Sequence, residues 1–464
     1  MMKGRQSSKK NQRRDVESLP TIRPLVAGID IGSREHWVCG PANADGAPNV
    51  RVFRTTTDDL KKLVDWLREQ RVASVVMEST SVYWIPLYEM LESQGIEAVL
   101  VNARQLHNVP GRKTDYRDCQ WLQLLHSCGL LRGSFRPSDA IVALRAIQRQ
   151  MANLVEERTR CVQWMQKALD QMNVQVHHAV SDLAGTTGLA IVRAIVAGDR
   201  DPMHLAANRD PRCRKSVEEI ARYLTGNWRE EHLFNLASAL RLFDGIEEQI
   251  RLYEDRLLKQ VEALAPPERQ NQPVPQHPKP NKEKYIRNHR EQPARRALWQ
   301  FAGLDLFRID GIGVAATKTI LTEIGLDLSA FPTERHFISW LRLCPRTAIS
   351  GGKPLRHKRN GMGANRVAAA LRMAASTLSR SKTALGAAYR RIARLKSASV
   401  AIFATARKLA QLVYRMLRFG QDYTDIGETA YDLRFQVRRL ASLKQSAKAL
   451  GYALTPDSSV PATG

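Results

Sequence analysis

The chain has 464 residues, 43% of them hydrophobic, which predicts two or three domains with ordinary apolar cores. Lys and Arg number 71 against 46 Asp and Glu, and this formal charge of +25 predicts a polyanionic partner, most simply nucleic acid. No apolar run approaches the roughly 18 residues of a membrane-spanning helix, so no membrane partner is expected. The six cysteines show no CxxC pair, which suits a reducing cytosol and argues against zinc or disulfides.

The first part of the chain divides into a basic arm and an α/β domain. Residues 1–24 are polar and basic without an apolar segment, which predicts a disordered arm rather than a secretory signal. From 25 to 135, short apolar runs alternate with helical stretches, a pattern typical of an α/β fold. Strands are predicted at 25–31, 35–40, 49–54, 72–78 and 97–101, and helices at 57–70, 82–94 and 114–130.

Four carboxylates stand out within this domain. Asp30 lies in an apolar strand, Glu78 closes another, and Asp115 and Asp118 are three residues apart at the start of a helix, hence on one face. Taken alone, each acid also fits a strand edge or a helix N-terminus. Together they would repel one another unless a cation neutralised them, and hard oxygen ligands suit Mg²⁺ or Mn²⁺. Acids in this order on strand, strand and helix are typical of a ribonuclease-H-like nuclease core, where such ions act on a phosphodiester.

The middle of the chain is predicted to be helical. Residues 136–265 contain two apolar stripes with steps of three and four, at 144–172 and 243–264. These coiled-coil-like stripes fit a pairing with each other or with another protomer, and both readings stay open. Seven prolines among polar residues at 266–293 predict a semi-rigid, solvated linker over 266–300.

The C-terminal part, 301–450, is again predicted to be mainly helical, with a flexible tail at 451–464. Gly311 and Gly313 lie in an Ile-Asp-Gly-Ile-Gly segment before an apolar helix. Such a turn resembles a helix-hairpin-helix, whose backbone N–H groups bind a DNA phosphate, and it also fits a plain connecting turn.

A second chemical motif follows at Ser350-Gly-Gly-Lys353, with further cations at Arg356, Lys358 and Arg359. Glycines let a backbone approach a phosphate, and cations stabilise charge that builds on phosphorus. A serine there is suited to attack phosphorus and form a covalent phosphoseryl–DNA link. A Ser-Gly-Gly turn in a basic DNA-binding loop is the alternative, and composition does not exclude it.

These blocks resemble the Piv-like DNA invertases and their insertion-sequence transposase relatives, the bridge-RNA-guided recombinases. In the N-terminal half, the resemblance rests on Gly28-Ile-Asp-Ile-Gly32, Met77-Glu-Ser-Thr80 and Lys113-Thr-Asp-x-x-Asp118. In the C-terminal half, it rests on Ile309-Asp-Gly-Ile-Gly313, Cys344-Pro345, Ser350-Gly-Gly-Lys353 and the segment from Ala406 to Tyr414.

The resemblance implies a RuvC-like first domain that holds Mg²⁺ or Mn²⁺ at Asp30, Glu78, Asp115 and Asp118, with Ser350 as the nucleophile. It implies donor and target DNA, a structured noncoding guide (bridge) RNA, and dimers that pair into tetramers in which one subunit's serine completes another's acid cluster. A prokaryotic, cytoplasmic and nucleoid-associated protein is expected. Many relatives carry two serines before Gly-Gly; Ile349 replaces the first here, which leaves Ser350 as the candidate. The resemblance does not explain residues 173–300.

Three rival functions remain. A RuvC-like endonuclease would use the same acids with water as nucleophile. A catalytically silent nucleic-acid-binding protein would need only the basic faces. An actin-like ATPase is suggested by Gly28-Ile-Asp-Ile-Gly-Ser33, but no later Asp-x-Gly-x-Thr phosphate loop follows.

Overall fold

A computed structural model describes residues 20–43, 45–79, 81–102, 114–277, 279, 291–344 and 365–455, together with the backbone of 349–350 and 353–354. The chain divides into two compact units, residues 1–136 and 137–464. Among the described helices, none combines the length and the apolar character needed to cross a bilayer.

The first unit is built on a five-stranded mixed sheet. Its strands are β1 (Val26–Ile31), β2 (Glu35–Cys39), β3 (Val50–Arg54), β4 (Ser74–Glu78) and β5 (Glu97–Val101), in the order β3-β2-β1-β4-β5. The first three strands form an antiparallel meander, whereas β4 and β5 run parallel to β1. The antiparallel strands need only short turns, and the parallel ones are joined by helical crossovers.

Helices cover both faces of this sheet. On one face, α1 (Thr57–Glu69) and α2 (Ile85–Ser93) pack on a core that includes Ile29, Met77 and Leu63. On the other face, α3 (Asp115–Ser127) packs through Leu122 against Val76 and Val101. The predicted ribonuclease-H-like fold is confirmed.

The second unit is mainly helical, and its first part is a long hairpin. Residues 137–265 form α4 (Asp139–Gln171), α5 (Val176–Ala179), α6 (Thr186–Val196), α7 (Pro202–Ala207), α8 (Val217–Ala221) and α9 (Glu230–Ala263). Helices α4 and α9 pack together antiparallel, with Arg158 bonded to Glu247 at 2.6 Å. The two apolar stripes therefore pair within one chain.

The tip of this hairpin has its own core. Met165 and Leu169 of α4 and Leu240 of α9 are buried together with Ile191 and Leu205 from the short helices between them. This places residues 173–240 in a small helical subdomain.

The remaining helices pack around the base of the hairpin. They are α10 (Pro267–Gln270), α11 (Glu291–Ala302), α12 (Val314–Ile324), α13 (Glu334–Trp340), α14 (Arg366–Thr377), α15 (Ala384–Leu395), α16 (Ala398–Phe419) and α17 (Glu428–Ala449), with a short hairpin of β6 (Ile349–Ser350) and β7 (Lys353–Pro354). Glu323 at the end of α12 is 5% exposed and accepts two bonds from Arg149 of α4, at 2.9 and 2.8 Å. An ion pair thus ties the hairpin to the C-terminal helices.

The described residues of the predicted linker pack against neighbouring residues and are not fully solvated as predicted. Arg269 donates to the carbonyls of Gln300 and Phe301, and His277 is 5% exposed with its Nε2 3.1 Å from the carbonyl oxygen of Phe307. Proline-rich composition predicts an extended chain, but it does not exclude one that packs along a neighbouring surface through side-chain donors.

Candidate active site

Two of the predicted acids lie at the same level, near the carboxyl ends of neighbouring strands. In the parallel pair of β1 and β4, Ile29 lies opposite Met77, so the next residues are Asp30 and Glu78. Side chains alternate along a strand, and both acids fall on the face that α3 covers, since Val76 of that face packs against Leu122. The carboxyl ends of parallel strands are where open α/β sheets place their ligands.

The other two acids come from the first turn of α3. Asp115 is exposed and Asp118 is half-buried, and helical spacing places both on one side. The backbone N–H of Asp118 donates to the carbonyl of Thr114, which closes the first turn. This end of the helix lies over the end of β1.

The structure brings three of the four acids together. One carboxylate oxygen from each of Asp30, Asp115 and Asp118 lies within 4.8 Å of the others. Oxygens on one Mg²⁺ lie at most about 4.2 Å apart, twice the ion–oxygen distance, so small side-chain rotations suffice. The donor set therefore fits a hard divalent cation. This group does not include Glu78, which remains at the end of the adjoining strand.

Gly28 sets how closely α3 approaches the sheet. A Cβ atom at this position would lie 2.3 Å from the backbone nitrogen of Gln123 and 2.5 Å from the carbonyl oxygen of Cys119. Both are helix backbone atoms, which cannot turn away as a side chain can. Only glycine permits this contact, and the contact holds the acids of α3 beside Asp30.

Apolar and aromatic groups surround the acids. Cys119 is fully buried, and burial raises the pKa of its thiol to about 12, with added repulsion from Cys39 and Asp30. Trp37 lies opposite Asp30 in the ladder and meets the ring of Tyr116 edge-on at 6.3 Å. These contacts were not predicted, although Tyr116, an aromatic residue between Asp115 and Asp118, was a visible signal in the sequence.

The candidate nucleophile lies in the second unit. Ser350 pairs with Lys353 across the β6–β7 hairpin, with Gly351 and Gly352 between them in sequence. The hairpin places the serine and the lysine directly opposite each other along the backbone. The predicted phosphate-binding residues Arg356, Lys358 and Arg359 lie outside the described residues.

The predicted glycine turn has different roles at its two ends. Gly311 has φ +86°, and a Cβ there would lie 2.8 Å from the carbonyl oxygen of Ala374, so packing and backbone conformation require this glycine. Gly313 is exposed at the start of α12, where a Cβ would meet nothing within 4 Å among the described residues. The backbone at Gly313 is therefore accessible, as a phosphate contact would require, whereas packing accounts for the glycine at position 311.

Asp310, directly before Gly311, anchors the turn. It is 5% exposed and accepts from Lys279 Nζ, 2.9 Å from both carboxylate oxygens, and from the Tyr423 hydroxyl at 3.2 Å. Lys279 also donates to Asp425 at 2.8 Å. A buried charge needs such partners, and the sequence offers no signal for them because they lie 31 and more than 100 positions away.

Comparison with known protein families finds two matches in chain order. Residues 27–174 match the DEDD transposase domain model of the IS110 family, and residues 303–390 match the transposase model of the IS116/IS110/IS902 family. The first match contains all four acids, and the second contains Ser350 and the glycine turn. Together the two matches cover about half of the chain. No curated protein shows significant sequence similarity to it.

Proposed function

Because the chain belongs to the IS110 family of insertion-sequence transposases and acts on DNA, we propose that it cuts and rejoins strands through a phosphoserine intermediate at a carboxylate metal centre. The observation that carries this proposal is the group of Asp30, Asp115 and Asp118 oxygens within 4.8 Å. Glu78, at the same level of the neighbouring strand, is the proposed fourth ligand.

The acid cluster would hold Mg²⁺ or Mn²⁺. A divalent cation there supplies positive charge to the phosphate oxygens as negative charge builds on them. The protein's own contribution is to keep the carboxylates close against their mutual repulsion, and the backbone contact at Gly28 does this. Cys119, the residue after Asp118 in the helix, is fully buried.

Ser350 is the proposed nucleophile. Its Oγ attacks a backbone phosphorus: the Oγ–P bond forms, one P–O bond to a deoxyribose breaks, and the departing oxygen takes up a proton while the serine loses one. A strand-end hydroxyl then reverses this step, which frees Ser350 and restores a phosphodiester without ATP. Lys353, opposite Ser350 in the hairpin, is suited to pair with the phosphate.

The serine is tested by Ser350→Ala, with Ser376→Ala as a matched control. Among the described residues, the Ser376 hydroxyl bonds to Met373 of its own helix, so its loss is expected to leave the site intact. The parent and the control are expected to give a protease-sensitive protein–DNA adduct on denaturing gels, and Ser350→Ala none. Cleavage that persists in Ser350→Ala would instead support the alternative, an endonuclease with water as nucleophile.

The metal centre is tested by Asp118→Asn, with Asp58→Asn as the control. The Asp58 side chain is 85% exposed on α1 and forms a surface ion pair with Lys61. Asp118→Asn is expected to abolish Mg²⁺-dependent activity and to weaken Mn²⁺ binding, while DNA binding remains. Unchanged recombination by Asp118→Asn would reject the metal assignment.

We also propose a guide RNA and an active site shared between subunits. The excess of cations supports the first, because it suits a large polyanion. Sequencing the nucleic acid that copurifies with the protein tests it: one recurrent structured RNA is expected. Mixing inactive Ser350→Ala with inactive Asp118→Asn tests the second: activity should return only if serine and acids come from different subunits.

A further inference from the structure

A groove between α15, α16 and α17 has the composition of a nucleotide-binding site. It encloses about 750 Å³, within the range of about 300–1,000 Å³ that small-ligand sites occupy. Leu385, Ile392, Leu412 and Met416 supply an apolar lining. Most of the groove lies beyond residue 390, where the family match ends.

One buried polar group in this lining lacks a partner. Thr405 is 3% exposed, and its Oγ1 makes no hydrogen bond within the described part of the chain. An unsatisfied buried hydroxyl is costly, and native structures retain few of them. Thr405 lines the groove, and a rotation of its side chain towards the groove would let a ligand group satisfy the hydroxyl.

The groove is also rimmed by cations, and two of them, Arg434 and Arg438, form no ion pair with the acids of the described residues. Lys408, Arg434 and Arg438 line it and are exposed. The one acid of the lining, Asp422, is already paired with Arg308 at 3.1 Å. The other acids of residues 420–455 are likewise neutralised within the chain: Asp425 by Lys279, Glu428 by Arg390 and Asp432 by Arg391.

We propose that this groove binds an unpaired nucleotide of a nucleic-acid strand, with the base against the apolar lining and the flanking phosphates on Arg434 and Arg438. An apolar slot with a hydroxyl at depth and cations at its rim matches a nucleotide, which has a flat base at one end and a charge at the other. An apolar peptide segment without acids would leave the cations without a counter-charge. The site needs neither Ser350 nor the acid cluster, so it stands apart from the proposed chemistry.

Strand binding in EDTA, where no cleavage occurs, tests this site separately from the proposed reaction. Fluorescence anisotropy would compare a labelled single strand of about 12 nucleotides, as DNA and as RNA, with the DNA duplex of the same sequence, over a series of salt concentrations. The double variant Arg434→Gln/Arg438→Gln is expected to weaken single-strand binding and to lower the salt slope by about 1.4, at about 0.7 per phosphate contact. A larger loss of affinity for the DNA strand or for the RNA strand would identify which of the two the groove binds. Both outcomes support the proposed site.

Arg439→Gln is the matched control, because Arg439 lies on the same helix but outside the groove lining. It should leave the salt slope unchanged. Equal losses in Arg439→Gln would show that only general charge matters and would overturn the proposal. If the Arg434→Gln/Arg438→Gln variant loses as much affinity for the duplex as for the single strand, the groove does not bind an unpaired nucleotide.

Thr405→Val tests the buried hydroxyl without changing charge or shape. It should weaken single-strand binding about 3- to 10-fold, the loss of one hydrogen bond, with the salt slope unchanged. Its melting temperature should be unchanged or higher, because an unpartnered buried hydroxyl is removed. Full strand affinity in a folded Thr405→Val protein would overturn the proposal and leave the groove to a protein segment.

Discussion

The contact between Gly28 and α3 makes Gly28→Ala a severe test of how the acid cluster is held. The new Cβ would lie 2.3 and 2.5 Å from backbone atoms of Gln123 and Cys119, where ordinary contacts begin near 3.4 Å. The helix must therefore move away from β1 by roughly 1 Å, and overpacking of this kind costs about 1–3 kcal/mol of unfolding free energy. Asp115 and Asp118 move with the helix, while Asp30 stays on the strand.

We expect Gly28→Ala to bind Mn²⁺ about 10- to 100-fold more weakly, the usual loss when a residue that supports metal ligands is changed. Calorimetric titration measures this affinity, and thermal unfolding measures the cost to the fold. Gly133→Ala is the matched control, because its Cβ would make only an ordinary 3.4 Å contact with Val99. If both variants bind Mn²⁺ as the parent does, Gly28 does not set the position of α3 and the reasoning is wrong.

Two further predictions concern stability. Glu323→Gln should lower the unfolding free energy of the second unit by about 3 kcal/mol, because it leaves Arg149 and the half-buried Arg145 without their carboxylate. The control Glu157→Gln, at an exposed ion pair on the same hairpin, should change this free energy by less than about 1 kcal/mol. Identical urea unfolding curves for the two variants would refute the prediction. Burial lowers the pKa of His126, which bonds Ser74 at 2.8 Å, below its ordinary value of 6.5. The unfolded chain then binds a proton more readily than the folded one, so the unfolding free energy should fall as the pH drops below 6.5. His126→Gln should make the unfolding free energy depend less on pH in this range. An unchanged pH dependence in His126→Gln would contradict the prediction.

Local patterns were enough to predict the α/β unit. Strands β1 and β4 are short apolar runs, whereas β3 alternates apolar residues with Arg51 and Arg54, and both patterns are typical of strands. The acids were predicted for the same reason, because an acid inside or at the end of such a run is conspicuous. The structure groups the carboxylates of Asp30, Asp115 and Asp118 and leaves Glu78 outside that group, so a site of four ligands stays a prediction.

Contacts between distant positions were not predictable. The close approach at Gly28 depends on the packing angle of α3, which no local pattern encodes. The segment around His277 has the composition of a solvated linker, yet Lys279 reaches Asp310 and Asp425, 31 and 146 positions away. The amino-acid composition of a segment indicates how well water solvates it. These ion pairs depend instead on which distant residues the fold places next to the segment.

The helical hairpin has a consequence for how such proteins diversify. Helix α4 has 33 residues and, at about 1.5 Å per residue, extends roughly 50 Å. Its tip encloses a core made from its own short helices, and this segment falls between the two family matches. Insertions or deletions there change the length of an outlying lobe without disturbing the packing at either end of the chain, so this lobe is the place where new recognition can be added at the least risk to the chemistry.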